Sequence, residues 1–575
     1  MCKPMKSLFF NIKSIVCFTL IYSLSSVSPT IAEDNLESKR PNILLIVADD
    51  LGWSDIGSFG GEIATPNLDK LASSGLRLTN FHVAPTCSPT RSMLLTGTDS
   101  HLAGLGNMQE ETGPNQKGKQ GYEGYLNNRV VTAATLLKDS GYRTMMSGKW
   151  HLGSTIELGP ESRGFQDVFV LPVGAANHFQ QIRAVGTDPN IVDKAPYREN
   201  GISVDLPENF YSSEFFTNKL IEYIEINKNS KEPKPFFAFA SYTAPHWPLQ
   251  APDKFIKKYE GIYEKGYEET RNNRIKKIKE LEILNFPTEP ITSELWPRWE
   301  SLSEEIKTKE VKRMQVYAGM VEALDHHIGR LIKKLSDIGE LSNTIVIFMS
   351  DNGAEGNDPQ IILNNEEWIP ANFDNSIQNM GRGNSFIGYG PRWAEVSSTP
   401  FRIFKGFTTD GGIRSPAIIS YPKFDHQSKI SNAFSSVMDI TPTLLEIAGI
   451  GHPGESYNGR TISPMKGESL LPFLKAKQQD VHNNNYAMGW ELFNRKALKH
   501  GDWKLVWNEK PYGKDGWELY NLSNDPFESN DISEIHDAKL KEMIKYWDQY
   551  VHENGVIIDK DLNLEYSGSN FHYTY

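Results

Sequence analysis

The sequence is poor in cysteine: its 575 residues hold three. Two of them, Cys2 and Cys17, lie in the first 32 residues, so a chain cut after Ala32 keeps Cys87 alone. A single thiol forms no internal disulfide, which excludes a disulfide-stapled scaffold. Cys87 is then either buried and inert or part of the chemistry. Basic excess is lacking too. The 60 Lys and Arg stand against 72 Asp and Glu, a formal charge of −12. That excludes the charge footprint of a nucleic-acid-binding protein. No repeat of fixed period occurs, which excludes a solenoid or propeller array. Long hydrophobic runs are also missing. The apolar stretch 14–27 falls short of the roughly 20 residues that a membrane-spanning helix needs.

That stretch fits a secretory signal instead. Lys3, Lys6 and Lys13 precede or open it, and Thr30-Ile31-Ala32 offers a small-residue cleavage site before Glu33. A membrane anchor is the competing reading. Cleavage takes the formal charge from −12 to −15 and predicts an exported protein, periplasmic or secreted, with no stable membrane span. The chain is 39% hydrophobic and 23% charged, as globular proteins are, and long enough for a large core.

Residues 42–48 read N-I-L-L-I-V-A, a continuous apolar run of the kind that a strand buried on both faces shows. Further strands are predicted at 142–147, 236–241, 344–350 and 415–421. Helices are predicted at 66–74, 131–140, within 205–227, at 311–335 and at 439–449. This alternation predicts an α/β fold with a large, mostly parallel sheet flanked by helices. Segment 251–312 is dense in Lys and Glu and broken by Pro287, Pro290 and Pro297, which predicts a solvated helical excursion. His326-His327 in the following helix reads as surface. After about 454 the texture shifts to short alternating runs at 497–499, 503–507 and 517–520, then a helix at 537–553. The division expected is a signal at 1–32, a catalytic domain at 33–453, and a smaller C-terminal domain with an antiparallel sheet and a helix at 454–575.

The polar residues fall in a pattern. Asp49-Asp50, Lys149 with His151, His246, and Asp351-Asn352 each follow a predicted strand. In open α/β sheets that edge is where ligands bind. Asp49, Asp50, Asp351 and Asn352 are hard oxygen donors, suited to Ca²⁺ or Mg²⁺ and not to zinc. Each pair alone reads more readily as a turn or cap; the two together favour a cation. Residues 86–97 read T-C-S-P-T-R-S-M-L-L-T-G. Pro89 suits an early helix position and Gly97 a helix stop, which sets Cys87 beside a helix N-terminus with Arg91 one turn on. Arg91, Lys149, His151, His246 and Lys405 supply positive charge and proton carriers for a tetrahedral anionic ester.

These residues carry a resemblance to the type I sulfatases of the alkaline-phosphatase-like superfamily, and among them to the bacterial formylglycine-dependent arylsulfatases. The motifs are P-N-I-L-L-I-V-A-D-D-L-G, A-T-P-N-L-D, C-S-P-T-R-S-M-L-L-T-G, G-K-W-H-L-G, A-P-H-W-P-L, M-S-D-N-G-A-E-G, K-G-F-T-T-D-G-G-I-R-S-P and L-Y-N-L-S-N-D-P-F-E, spread over nearly the whole chain after residue 40. The resemblance implies hydrolysis of aryl and alkyl sulfate monoesters, small-molecule or glycan, to an alcohol or phenol plus sulfate. It implies that a formylglycine-generating or equivalent maturation enzyme converts Cys87 to formylglycine, whose hydrate is the nucleophile. It implies that Asp49, Asp50, Asp351, Asn352 and residue 87 ligate Ca²⁺, with Mg²⁺ the second choice. His246 and Lys405 then face the leaving oxygen and bind substrate, Arg91 and Lys149 hold the aldehyde hydrate and the sulfate charge, and His151 takes the proton that releases sulfate.

Two rivals remain at this stage. A phosphomonoesterase or phosphonate ester hydrolase could use the same metal and cations. A non-catalytic glycan-binding protein could keep the fold, although an intact nucleophile motif argues against it.

Overall fold

The computed structural model describes residues 40–184, 188–361, 365–424 and 429–558. The signal expected at 1–32 lies outside the described residues. No helix among the described residues is long and apolar enough to cross a membrane.

The apolar run Asn42–Ala48 is the central strand, buried at every position. It runs parallel between Phe236–Ser241 and Thr344–Ser350. Arg143–Lys149 and then Asp167–Leu171 extend the parallel sheet on the Phe236–Ser241 side. On the other side Arg414–Ser420 pairs antiparallel with Thr344–Ser350, and Leu76–His82 pairs antiparallel with Arg414–Ser420. With short edge strands this makes an eleven-stranded mixed sheet among the described residues, mostly parallel as the alternation predicts.

Both faces of the sheet are covered, which explains its continuous apolar strands. Leu44 and Ile46 pack into one core with Phe216 and Leu220 of Ser212–Lys228 and Met314, Leu324 and Leu331 of Glu304–Asp337. Ile43, Leu45 and Val47 turn to the other core, with Leu94 of Cys87–Thr96, Leu137 of Ala133–Asp139 and Leu444 of Ile440–Ile447. Alternation along one strand thus feeds two cores.

Register sets up the site. Ala48 pairs with Ser350, Val47 with Ser241, and Gly148 with Ser241. Four parallel strands therefore end at one level, and whatever follows them shares one edge. Lys149 is the last residue of its strand, where the sequence reading placed it in the turn beyond.

Segment 251–312 differs from expectation. Its charged face is solvated, but Tyr259, Tyr263, Tyr267, Ile278, Trp296 and Trp299 are buried in the core. Arg274 is buried with them, 2.7 Å from Asp55 and 2.7 Å from Glu62. These aromatic residues, carried by one α-helix, short 3-10 turns and the loops between them, anchor the Lys/Glu-rich segment to the core. In the next helix His326 is exposed and His327 is buried.

The C-terminal part holds a four-stranded antiparallel sheet, Ala487–Leu492, Arg495–His500, Trp503–Trp507 and Glu518–Asn521. The first of these strands was not expected. One face of the sheet packs Leu498, Leu505 and Leu519 on Met543 and Trp547 of Asp537–Asn554. The other face gives Trp490, Ala497, Val506 and Tyr520 to the core shared with the large sheet. Trp490 Nε1 donates to the Val83 carbonyl at 2.9 Å and Arg495 to the Gly406 carbonyl at 2.7 Å. The small sheet thereby steadies the chain just before Cys87 and just after Lys405.

Candidate active site

Cys87 opens the helix Cys87–Thr96, every residue of which is buried. Thr90 anchors the approach: its hydroxyl accepts from the Ala84 amide at 2.8 Å and donates to the Ala84 carbonyl at 3.1 Å. Gly97 ends the helix at φ 68°, where its N–H bonds the Met93 carbonyl. A side chain would be strained in that left-handed turn.

The helix aims Cys87 at the two carboxylates that follow the central strand. Its thiol lies 3.4 Å from Asp49 Oδ1 and 4.0 Å from Asp50 Oδ1. Burial, and then the Asp351 charge, push the thiol well above its ordinary pKa, against the pull of Lys149 and Lys405. The helix N-terminus does not make this a thiolate. As a cysteine, residue 87 is a poor nucleophile.

Three cations clasp the aspartates. Lys149 Nζ sits 3.0 and 2.9 Å from the two oxygens of Asp49. Lys405 Nζ sits 2.8 Å from Asp50 Oδ1 and 2.9 Å from Glu355 Oε2. Arg91 Nε donates to Asp351 Oδ2 at 2.8 Å, and its Nη1 donates to Ser241 Oγ at 2.6 Å. Ser241 in turn donates to the Lys149 carbonyl at 2.6 Å. All of these side chains are buried. Asp50 has a positive φ of 69° and His151 one of 56°, conformations that non-glycine residues seldom adopt and that cluster at functional sites.

The charges are unevenly answered. Burial would raise Asp50, but the Lys405 charge, with that of Lys149, outweighs it and holds it below the usual range. Asp351 is held above the usual range by burial and by the neighbouring Asp49 charge, with Arg91 an incomplete answer. Glu355 is also raised, by burial first, with Lys405 opposing and Asp50 adding to the rise.

These donors fit a divalent cation. Asp49, Asp50, Cys87 and His246 can each place one ligand atom within 4.8 Å of the others. Asn352 donates to Asp50 Oδ1 at 2.7 Å, while its own Oδ1 is buried with no hydrogen-bond partner among the described residues. A buried orphan oxygen beside raised carboxylates is what a hard cation satisfies. Asp351 lies beside the same carboxylates, its Oδ1 accepting from the Asp50 amide at 3.3 Å.

The two histidines differ. His246 is buried, with Nε2 3.5 Å from Asp50 Oδ2 and Nδ1 2.7 Å from the Trp247 carbonyl. A carbonyl only accepts, so Nδ1 carries the proton. Burial pushes this imidazole well below its ordinary pKa, which leaves Nε2 an acceptor. His151 Nε2 lies 2.8 Å from Glu110 Oε1. Its Nδ1 is buried with no partner among the described residues. Glu110 therefore selects the tautomer that keeps Nδ1 free to take a proton. His151 sits over Gly174, where an added Cβ would stand 2.8 Å from its ring.

Cys87, His151, His246 and Lys405 line one cavity of about 480 Å³, joined by Glu110 and Arg183 among others. The sequence reading did not single out Glu110, Ser241, Glu355 or Arg183. Glu355 had a signal, three residues after Asn352 in D-N-G-A-E-G. Ser241 had none, since its partners Arg91 and Lys149 lie far off in sequence, and Arg183 had none either.

The arrangement can hold a divalent cation and a tetrahedral oxyanion side by side. Known proteins agree. The Sulfatase family model matches residues 41–450, and a model described as N-sulphoglucosamine sulphohydrolase, C-terminal, matches 401–554. The chain is 46% identical over 535 residues to an uncharacterised sulfatase of Schizosaccharomyces pombe, covering 91% of this chain and 96% of that one. It is 40% identical over 444 residues to an arylsulfatase of Klebsiella aerogenes, covering 77% and 93%. Its fold matches the crystal structure of Ps i-CgsB in complex with k-i-k-neocarrahexaose at a TM-score of 0.64, with 24% identity and coverage of 92% and 97%. The chain belongs to the sulfatase family, and its reaction is the hydrolysis of sulfate esters.

Proposed function

We propose that this sulfatase acts on aryl and, less readily, alkyl sulfate esters, with formylglycine at position 87 and Ca²⁺ held by Asp49, Asp50, Asp351, Asn352 and residue 87. The charge balance of the buried cluster carries this reading. Asp49, Asp50, Asp351 and Glu355 face, among the described residues, three fixed cations, Arg91, Lys149 and Lys405, while His246 is held neutral by burial. The cluster is thus one charge short. A divalent ion reverses the deficit, and a sulfate monoester anion then closes it. Ion and substrate each compensate what the other would leave buried and unpaired.

Calcium there would polarise the sulfate as a Lewis acid and fix its orientation. Formylglycine, hydrated to a geminal diol, would supply one hydroxyl that attacks sulfur and a second whose deprotonation lets sulfate depart. The raised thiol of Cys87 supports the need for such a change, because the unmodified side chain is not activated.

The other residues hold charge and move protons. Lys149 neutralises Asp49 and keeps it oriented, and Arg91 does the same for Asp351. Lys405, held between Asp50 and Glu355, gives the leaving oxygen a nearby positive charge. His246 donates a proton to that oxygen only from its doubly protonated form, since Nε2 of the neutral ring is an acceptor. His151 Nδ1 takes the proton of the second hydroxyl, with Glu110 stabilising the imidazolium that forms.

A panel of aryl and alkyl sulfates, with the matching aryl phosphates, tests the reading on matured enzyme. Aryl sulfate is expected to exceed aryl phosphate in kcat/KM; the reverse order would make it a phosphatase. Export through residues 1–32 belongs to the same reading, and N-terminal sequencing of the exported protein should begin at Glu33.

A further inference from the structure

We propose that Arg183 forms a second anion subsite in the catalytic cavity, so that the favoured substrates carry a further oxyanion group, a carboxylate or a second sulfur oxyanion, on the part that leaves. This rests on the sulfatase reading above and deepens it.

Arg183 lines the same cavity as Cys87, His246 and Lys405. The other cavity cations are already spoken for. Lys405 lies between Asp50 and Glu355, and His151 is paired with Glu110. The Arg183 guanidinium has no acidic partner among the described residues, although the residue is only part-exposed. A half-buried guanidinium usually pairs with an anion, and its planar fork matches carboxylate or sulfate oxygens in pairs.

Its backbone is held from two sides. Arg183 bridges Ala176 antiparallel, and its amide donates to the Asp193 carbonyl at 2.9 Å. Its neighbours Ile182 and Ala184 pack with Trp247, Trp368 and Phe386. Trp247 lies against His246, ring centroids 4.5 Å apart, and lines the cavity too. The cavity wall next to the reacting groups is thus apolar and aromatic, suited to the flat face of a ring. A ring seated there would present one substituent to the catalytic cluster and another to Arg183. Arg183 is separate from the cations that answer the aspartates, so the two anions do not compete.

The test uses three esters of matched shape on matured enzyme: 3-carboxyphenyl, 3-sulfophenyl and 3-carbamoylphenyl sulfate. The carbamoyl ester has the outline of the carboxyl ester without its charge. The parent enzyme should favour the charged esters by about tenfold in kcat/KM, the scale of one charge-assisted contact. Arg183→Gln should bring that ratio close to one, and Arg183→Lys should keep part of it. Raising salt should lower the parent's ratio, because a partly exposed charge is screened. The carboxyl and sulfo arms separate the two sources of the anion. A parent ratio near one, or a ratio unchanged in Arg183→Gln, overturns the subsite while leaving the sulfatase reading intact. No turnover of the carbamoyl ester by the parent overturns the reading on which the subsite rests.

Discussion

Lys149 Nζ lies within 3.0 Å of both oxygens of Asp49, at the level where four parallel strands end. A buried ammonium on a buried carboxylate usually closes a site electrically. Here it does not, because Asp50, Asp351 and Glu355 stand in the same cluster and share Arg91 and Lys405. The pair leaves the cluster one positive charge short, the deficit that a divalent ion and a sulfate ester together would close.

Removing the ion should therefore cost both activity and stability. Chelation should abolish turnover and lower Tm, and added Ca²⁺ should restore both. A site saturated a hundredfold above its Kd contributes about 2.7 kcal/mol. Asp351→Ala should lose the ion and activity together, read by elemental analysis and turnover. Full activity in a metal-free preparation contradicts the assignment.

The state of His246 decides how leaving groups behave. Proton donation is worth about 10²–10⁴-fold where the leaving group is poor. If protonated His246 serves the leaving oxygen, His246→Ala should harm phenyl and alkyl sulfates far more than nitrophenyl sulfate. A plot of log kcat/KM against leaving-group pKa should then steepen. Equal slopes with a uniform drop would leave Lys405 as the group that answers the leaving oxygen.

Glu110 should act through His151 rather than on substrate. Glu110→Gln removes the charge behind Nε2 and should lower kcat by about tenfold with little change in KM, the pattern of a group that supports a proton transfer. Glu110→Asp should recover part of the loss. A change confined to KM would make Glu110 a substrate contact instead.

Stability should also depend on pH through His101, which is not among the residues lining the catalytic cavity. Its Nδ1 is 2.8 Å from Asp99 and its Nε2 3.8 Å from Glu491 of the small sheet. Burial alone would lower it, but Asp99 and Glu491 outweigh burial and push it up to about 9. A folded-state pKa above the ordinary 6.5 means stability that is complete below about 6.5 and lost as pH rises through about 9. The Tm gap between the parent and His101→Gln should narrow over that window. A gap independent of pH would mean that His101 is neutral in the fold.

Much of this arrangement was legible in the sequence, for reasons that particular residues make plain. Asn42–Ala48, Pro66–Ser74, Phe236–Ser241 and Thr344–Ser350 fall where their apolar patterns put them. Strands buried on both faces leave an unbroken apolar run, and the polar residue that ends each run marks the ligand edge. Helix ends were less legible. Glu304–Asp337 begins seven residues before 311 because the Ser303 hydroxyl caps it, while its first turns carry few apolar residues. The strand Ala487–Leu492 was missed because A-M-G-W-E-L does not alternate cleanly. Segment 251–312 looked solvated because charge dominates its composition, yet Arg274 is buried between two carboxylates. Arg183 could not be read at all: a loop carries it into the cavity, and no local pattern records that.

The central claim is that Cys87 is not a cysteine in active enzyme. Peptide mass analysis of the segment containing residue 87, on preparations of differing specific activity, tests it most directly. The account predicts a residue lacking one sulfur and two hydrogens and carrying one added oxygen, reactive with a hydrazide, in a fraction that rises in proportion to activity. Fully active enzyme in which every copy of residue 87 retains its thiol would contradict it.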